Sequence, residues 1–144
     1  YGTALESALK MGETIHIPSC CYEIEEYIHG PNLQLTPQYN VIFFDGNDGA
    51  SRRVEQVYKA TRKVTNRAYL ISNNPQLSRD GHVLSLSDTV SSELSPLVYL
   101  PFVQLLSFIV SNDLHSIYQH PLLKEFKAIA AAKTENFVNY DGDD

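Results

Sequence analysis

Apolar residues recur at the three- and four-residue spacing of amphipathic helices in some segments of the chain and form continuous runs in others. The first helical segment covers residues 4–15, and we expect it to end near Pro18 because proline disfavours helical backbone before it. A short helix is predicted over residues 22–28, where a Gly-Pro pair stops it. The same spacing predicts a helix over residues 51–64.

Continuous apolar runs predict strands at residues 39–44 and 67–71, since such runs suit strands covered on both faces, as in parallel sheets. A shorter strand with alternating apolar positions is predicted at residues 82–86. Residues 96–111 form a long predicted helix, and residues 121–133 also favour helix. Strands and helices that follow one another with short turns predict an α/β protein, a sandwich of helices around a mostly parallel sheet.

Length and composition are those of one ordinary globular domain, with 144 residues of which 43% are apolar and 19% charged. The formal net charge is −6, from 11 basic and 17 acidic residues. An acidic balance argues against a nucleic-acid surface, because phosphate neutralisation needs a clustered basic face. The densest basic stretch, residues 52–63, is interrupted by Glu55. We therefore expect no nucleic-acid partner.

The cysteines and one uncharged segment bear on location. Cys20 and Cys21 are adjacent, so they cannot build a disulfide framework or a four-ligand zinc site, and a reduced, cytoplasmic setting fits best. No basic segment followed by an apolar core opens the sequence, so we expect no signal peptide. The uncharged run over residues 94–112 contains prolines, a glutamine and several serines, which favours a buried core helix over a membrane span.

Glu6, Lys10 and Glu13 lie four and three residues apart, so the first helix presents them on one stripe. One interpretation is a solvated face with an ordinary Glu-Lys pair, worth a few tenths of a kcal/mol. The other is proton transfer: the ammonium keeps a neighbouring carboxylate charged, and the carboxylate can then remove a proton beside a carbonyl group. Spacing alone does not separate the two.

His29 closes the second predicted helix and allows two interpretations. A cationic side chain is favourable near a helix C-terminus, so His29 could simply cap that helix. It could also protonate and deprotonate a sugar oxygen near neutral pH. The other histidines lack metal-ligand spacing, and no phosphate-cradling glycine motif is present. We expect no metal site.

The stretch Ala-Leu-Glu-Ser-Ala-Leu-Lys-Met-Gly-Glu at residues 4–13, followed by Tyr-Ile-His-Gly-Pro at residues 27–31, resembles the SIS (sugar isomerase) family. More narrowly, it is similar to the second SIS module of the isomerase half of glucosamine-6-phosphate synthase and of related fructosamine-6-phosphate deglycases. There a helix reading Ala-Leu-Glu-x-Ala-Leu-Lys-x-x-Glu precedes a loop ending in His-Gly-Pro. The likeness covers most of the chain up to about Pro121.

The resemblance implies a role for each matched position. Glu13 falls on the carboxylate that moves a proton between C1 and C2 of an open-chain sugar phosphate. His29 falls on the histidine that opens the sugar ring and is lent across a dimer interface. Glu6 and Lys10 fall on supporting positions of the same helix. The resemblance also implies a three-layer αβα sandwich with a mostly parallel sheet of the flavodoxin-like kind. It further implies an enzyme that needs no metal or organic cofactor, binds a sugar phosphate and forms a homodimer.

The sequence departs from the synthase pattern in two places. Aligned without gaps, the position of the synthase's Schiff-base lysine is Phe126, so Lys124 and Lys127 are nearby candidates although neither matches in register. No Ser/Thr-rich phosphate loop precedes the first helix, so we expect the phosphate-binding residues to lie outside this chain.

These departures suit relatives without a glutaminase: isomerases, deaminases and deglycases of amino-ketose 6-phosphates, among which the residues do not choose. The alternatives are a non-catalytic sugar-phosphate-binding module of a regulator, and a structural half whose partner module holds the whole site. We expect residues 1–144 to be a single SIS module, the C-terminal one of a longer chain that also contains a first SIS module. Residues 134–144 should form a partly frayed tail.

Overall fold

Helices and strands alternate along most of the chain in this computed structural model, which describes residues 1–86, 90–116 and 128–130. The elements are α1 (Gly2–Ile15), α2 (Ile24–Ile28), β1 (Val41–Phe44), α3 (Ser51–Thr61), β2 (Ala68–Ser72), β3 (Val83–Ser85) and α4 (Ser95–Asp113). Short 3₁₀ turns cover Pro31–Gln34 and Pro75–Leu77. The predicted helices and strands in these ranges are confirmed, with ends shifted by up to three residues.

The three strands form a parallel sheet in the order β1-β2-β3. Phe44 lies opposite Ile71, and Ile71 lies opposite Leu84. Both faces of β2 are covered, since Leu70 and Ile71 point to opposite faces and each is 1% exposed. Only Phe43 of β1 is buried, so the prediction that both faces of that strand are covered holds only in part.

Helices cover both faces of the sheet. On one face the ring of Phe43 makes edge-to-face contacts with Tyr27 and Tyr58, at centroid distances of 5.8 and 6.0 Å, which attach α2 and α3. On the other face Phe44 contacts Tyr99 of α4 at 6.2 Å, and α1 packs along α4. The order of layers confirms the predicted αβα sandwich.

A buried acidic residue, Asp45, joins these layers directly after β1. Its Oδ1 accepts hydrogen bonds from the Asn47 N–H at 3.0 Å and from Ser51 Oγ at 2.5 Å, and its Oδ2 accepts one from Ser72 Oγ at 2.7 Å. The Tyr99 hydroxyl donates to its main-chain oxygen at 2.6 Å. Burial, with the nearby Asp45 carboxyl group, raises the pKa of Tyr99 to about 12, so the phenol stays protonated as a donor.

The prediction that the long helix is a buried core helix is wrong for one side of α4. The buried side consists mainly of small or polar residues, namely Ser95, Tyr99, Val103, Ser107 and Ser111. The opposite side exposes 72% of Leu97, 57% of Leu105 and 62% of Phe108. The physical reason is the close approach of α1, where Ser107 Oγ lies 3.8 Å from Met11 Sδ and larger side chains would not fit.

Two further expectations concern the membrane and the C-terminus. Within the ranges given above, α4 alone is long and apolar enough to cross a membrane by length and composition. Of the predicted helix over residues 121–133, the structure describes residues 128–130, which are helical. The rest of that segment and the predicted tail over residues 134–144 lie outside the described residues.

We predict that Asp45→Ala lowers the free energy of unfolding by about 2–4 kcal/mol, because it leaves the buried hydroxyl of Ser72, the half-buried hydroxyl of Ser51 and a main-chain N–H without an acceptor. Urea denaturation followed by circular dichroism measures the change. Asp113→Ala, at an exposed position near the end of α4, is the matched control and should leave the midpoint unchanged. Equal midpoints for both variants would contradict the joining role of Asp45.

Candidate functional site

The charged stripe of α1 forms as predicted. Lys10 Nζ lies 2.8 Å from Glu13 Oε2 and 3.6 Å from Glu6 Oε1, so one ammonium group bridges two carboxylates. The hydrogen bond to Glu13 is the main cause of a raised Lys10 pKa, and the charges of Glu13 and Glu6 add to it. The stripe faces outward because the buried residues of α1, Ser7 and Ile15, lie on another side of the helix.

His29 is the residue directly after α2. Its ring Nδ1 lies 2.8 Å from the main-chain oxygen of Glu25, and the main-chain N–H of His29 donates to the main-chain oxygen of Glu26 at 3.1 Å. The helix starts with a capping box, in which Glu23 and Glu26 each accept a hydrogen bond from the other's main-chain N–H. Buried Tyr27 then fixes α2 against the sheet. The capping interpretation of His29 therefore has a structural basis, and no described residue hydrogen-bonds to Nε2 of the same ring.

Glu13 and His29 have different partners in this single chain. No hydrogen bond or ion pair among the described residues joins them. Neither Glu13 nor His29 lines either of two cavities that we find at the described surface. One chain therefore brings Glu6, Lys10 and Glu13 together, while the convergence of Glu13 with His29 stays a prediction.

The first cavity lies at the carboxyl end of β1 and has a volume of about 350 Å³. In a parallel sheet this end is the usual place for a ligand. Its lining comes from the starts of α1 and α4 and from the loop after β1: Tyr1, Gly2, Thr3, Glu6, Gly46, Asp48, Ser92, Ser95, Pro96 and Leu100. Of the predicted residues it contains Glu6 alone, and none of its lining residues is cationic.

Sequence reasoning missed Asp48, Ser92 and Ser95 as lining residues. The sequence did point to Asp48, because this residue closely follows an apolar strand and the Asp-Gly pair after it. Loops after parallel strands lie at the edge of the sheet where ligands usually bind. The serines carried none, since their position depends on how α4 crosses the sheet. The carboxylates of Glu6 and Asp48 suit the hydroxyls of a sugar better than they suit a phosphate group, because carboxylate and phosphate are both anionic.

The candidate Schiff-base lysines, Lys124 and Lys127, lie outside the described residues, as does Phe126. In the ranges that the structure does cover, no group of three or more His, Cys, Asp or Glu side chains could hold a metal ion. Cys20 and Cys21 are free thiols.

Solved structures share this fold, and two of them come from bacterial proteins with sugar-related names. A protein of Clostridium difficile 630, provisionally named a phosphosugar isomerase, matches 94% of this chain with a TM-score of 0.78 and 24% identity. A provisionally named sugar-binding protein of Salmonella typhimurium LT2 matches 76% with a TM-score of 0.64 and 28% identity. The matched parts make up only 38% and 33% of those two chains.

No protein-family model matches this sequence, and no curated protein sequence is significantly similar to it. The two structures establish the fold of the chain and leave the roles of its side chains as predictions.

We predict that Glu13→Gln lowers the Lys10 pKa more than Glu6→Gln does, because the hydrogen bond to Glu13 is the larger cause of its rise. An NMR titration of the lysine side-chain carbons measures both shifts. Glu55→Gln, which removes an ion pair with Lys59 on α3, is the control and should leave the Lys10 pKa unchanged. A larger effect from Glu6→Gln would show that the stripe is arranged differently in solution.

Proposed function

We propose that this chain is a sugar-phosphate-binding SIS module of an enzyme that isomerises, deaminates or deglycates amino-ketose 6-phosphates. The observation that carries the proposal is the ammonium group of Lys10 held between Glu6 and Glu13 on a helix of this fold. The fold is shared with a provisionally named phosphosugar isomerase, which supports the substrate class.

Glu13 is the proposed base. Conversion between a ketose and an aldose needs a carboxylate that takes a proton from one carbon and returns it to the next, through an enediol. The Lys10 ammonium group lies 2.8 Å from Glu13 Oε2 and fixes the position of that carboxylate on α1. Glu6 shares the same ammonium and lines the cavity at the end of β1, so it connects the charged stripe with a space that can hold a ligand.

His29 is the proposed ring opener. A cyclic sugar phosphate must first open, which requires one group to take the proton of the anomeric hydroxyl and return it to the ring oxygen. Imidazole does both near neutral pH. Because His29 and Glu13 have separate partners within one chain, we propose that His29 acts in the site of a second subunit.

A lysine would decide between the reaction types, because a Schiff base holds the ketose during transfer or release of an amine. Lys124 and Lys127 are the proposed candidates. Incubation of the full-length protein with fructose 6-phosphate, glucosamine 6-phosphate and fructosamine 6-phosphates, with detection of released amine, separates isomerase from deaminase and deglycase.

A non-catalytic sugar-binding module is the second candidate. The similarity to the provisionally named sugar-binding protein of Salmonella favours it. It is also favoured by the fact that Glu13 and His29 bind different residues within one chain. A protein that binds glucosamine 6-phosphate in calorimetry and turns over none of the three sugar phosphates would be this module.

The proposed location is the cytoplasm, in keeping with the free thiols of Cys20 and Cys21. The proposed partners are a first SIS module of the same polypeptide and a second subunit. The exposed apolar side of α4, with Leu97, Leu105 and Phe108, supports the contact with a second subunit, because an uncovered apolar patch of that kind marks an association surface. Neither a nucleic acid nor a membrane belongs to the proposal.

Glu13→Gln should lower kcat of the full-length protein by several orders of magnitude and leave its unfolding midpoint unchanged, because the amide keeps the shape of the side chain but cannot accept a proton. A coupled assay of sugar-phosphate conversion measures kcat. The control Glu55→Gln removes a comparable helix ion pair on α3 and should retain full turnover. Full turnover by the Glu13 variant would exclude its role as the base.

The 144-residue chain should be a dimer in sedimentation velocity experiments, and Phe108→Glu should make it monomeric by placing a charge on the apolar side of α4. Leu33→Glu changes a leucine that is 86% exposed elsewhere, after α2, and should leave the dimer intact. A monomeric wild-type chain at micromolar concentration would contradict the proposed contact between subunits.

A further inference from the structure

The main chain holds the neutral imidazole ring of His29 in one tautomer. Its Nδ1 lies 2.8 Å from the carbonyl oxygen of Glu25, one helical turn earlier. A carbonyl oxygen can only accept a hydrogen bond, so the proton of the neutral ring is on Nδ1 and the lone pair is on Nε2. Among the described residues nothing hydrogen-bonds to Nε2, which leaves that atom available to a ligand.

Glu25, which supplies this carbonyl, is itself attached to α3. Its Oε1 accepts a hydrogen bond from Arg53 Nε at 2.7 Å, and its Oε2 accepts one from Arg53 Nη2 at 3.3 Å. Two parallel bonds of this kind fix direction as well as distance. The hydrogen bond from Arg53 is the main cause of a lowered Glu25 pKa, and the charges of Arg53 and His29 lower that pKa further. The imidazole of His29 therefore lies within electrostatic reach of the Glu25 carboxylate.

The attachment matters because α2 has only five residues, too few to hold a helical shape by themselves. On its inner side Tyr27 is buried, and its hydroxyl lies 3.2 Å from Thr61 Oγ1 of α3. On its outer side the Glu25–Arg53 pair makes a second attachment to α3. Two attachments on different sides restrict rotation of the short helix about its axis, and with it the direction of the His29 ring.

We infer that Arg53 is a positioning residue for His29: it holds Glu25 so that the Glu25 carbonyl keeps the imidazole in its Nδ1–H form, with Nε2 directed to the sugar. The inference rests on the proposed ring-opening role of His29. In that step Nε2 takes the proton of the anomeric hydroxyl, the bond between the anomeric carbon and the ring oxygen breaks as the carbonyl forms, and the proton passes to the ring oxygen. Arg53 touches none of these atoms.

The test compares Arg53→Ala, Arg53→Lys and the control Arg52→Ala in the full-length protein. Arg52 is the exposed neighbour on α3, and the structure shows it in no ion pair with a described residue. Nitrogen-15 NMR at about pH 9, where an ordinary histidine is neutral, identifies which ring nitrogen carries the proton. Kinetics with fructose 6-phosphate and its 5-deoxy analogue separate ring opening from later steps, because the analogue cannot close a furanose ring.

We expect the Nδ1–H form in the wild type and a larger share of the Nε2–H form in Arg53→Ala. The kcat/KM for fructose 6-phosphate should fall about two- to five-fold, the range that exposed ion pairs reach, while that for the 5-deoxy analogue stays unchanged. Arg53→Lys keeps the charge but loses the double hydrogen bond, so it should lie between wild type and Arg53→Ala. Arg52→Ala should match the wild type in all three measurements.

The inference would be overturned by a wild-type His29 with its proton on Nε2, or by an Arg53→Ala variant with wild-type nitrogen shifts. An equal loss of kcat/KM for both substrates would also overturn it, because a general structural defect would act on both. If the wild type converts no sugar phosphate at all, the proposed function fails, whereas the nitrogen shifts still decide whether Arg53 positions His29.

Discussion

The carboxyl group of Asp45 is the point on which the arrangement of the layers depends. It lies directly after β1, is buried, and accepts hydrogen bonds from the start of α3 and from the end of β2. Its main-chain oxygen accepts the Tyr99 hydroxyl of α4. A buried polar group with several acceptor sites is costly unless every site is used, so it tolerates one arrangement of its donors. The sheet and the two helical layers are thereby fixed at the edge where the first cavity lies.

The contact between α1 and α4 decides which way the charged stripe faces. Ser7 of α1 and Ser107 of α4 are small and buried, which allows the helices to approach closely. The Ser116 hydroxyl donates to the main-chain oxygen of Thr14 at 2.6 Å and fixes the far end of the pair. With the small residues turned inward, Lys10 and its carboxylates face outward. The same close packing turns the large apolar residues of α4 away from the core.

The candidate catalytic groups belong to separately supported helices. Glu13 lies on a helix that packs on one side of the sheet, and His29 follows a helix attached to the other side through Tyr27 and Thr61. Among the described residues no hydrogen bond or ion pair joins the two groups. The proposed site that uses both would be completed by a second subunit, and the exposed apolar side of α4 is a surface of the kind that marks association.

The sequence by itself determined the elements, the parallel sheet and the stripe of Glu6, Lys10 and Glu13, because periodicity and helical spacing are local properties. It did not determine which side of α4 is buried, since residues 95–113 show no clear amphipathic pattern and the choice depends on the close approach of α1. Nor could it show the bond of Glu25 to Arg53 or the joining role of Asp45. Arg53 lies 28 positions after Glu25, and Ser72 lies 27 positions after Asp45. Only the folded chain brings the members of each pair together.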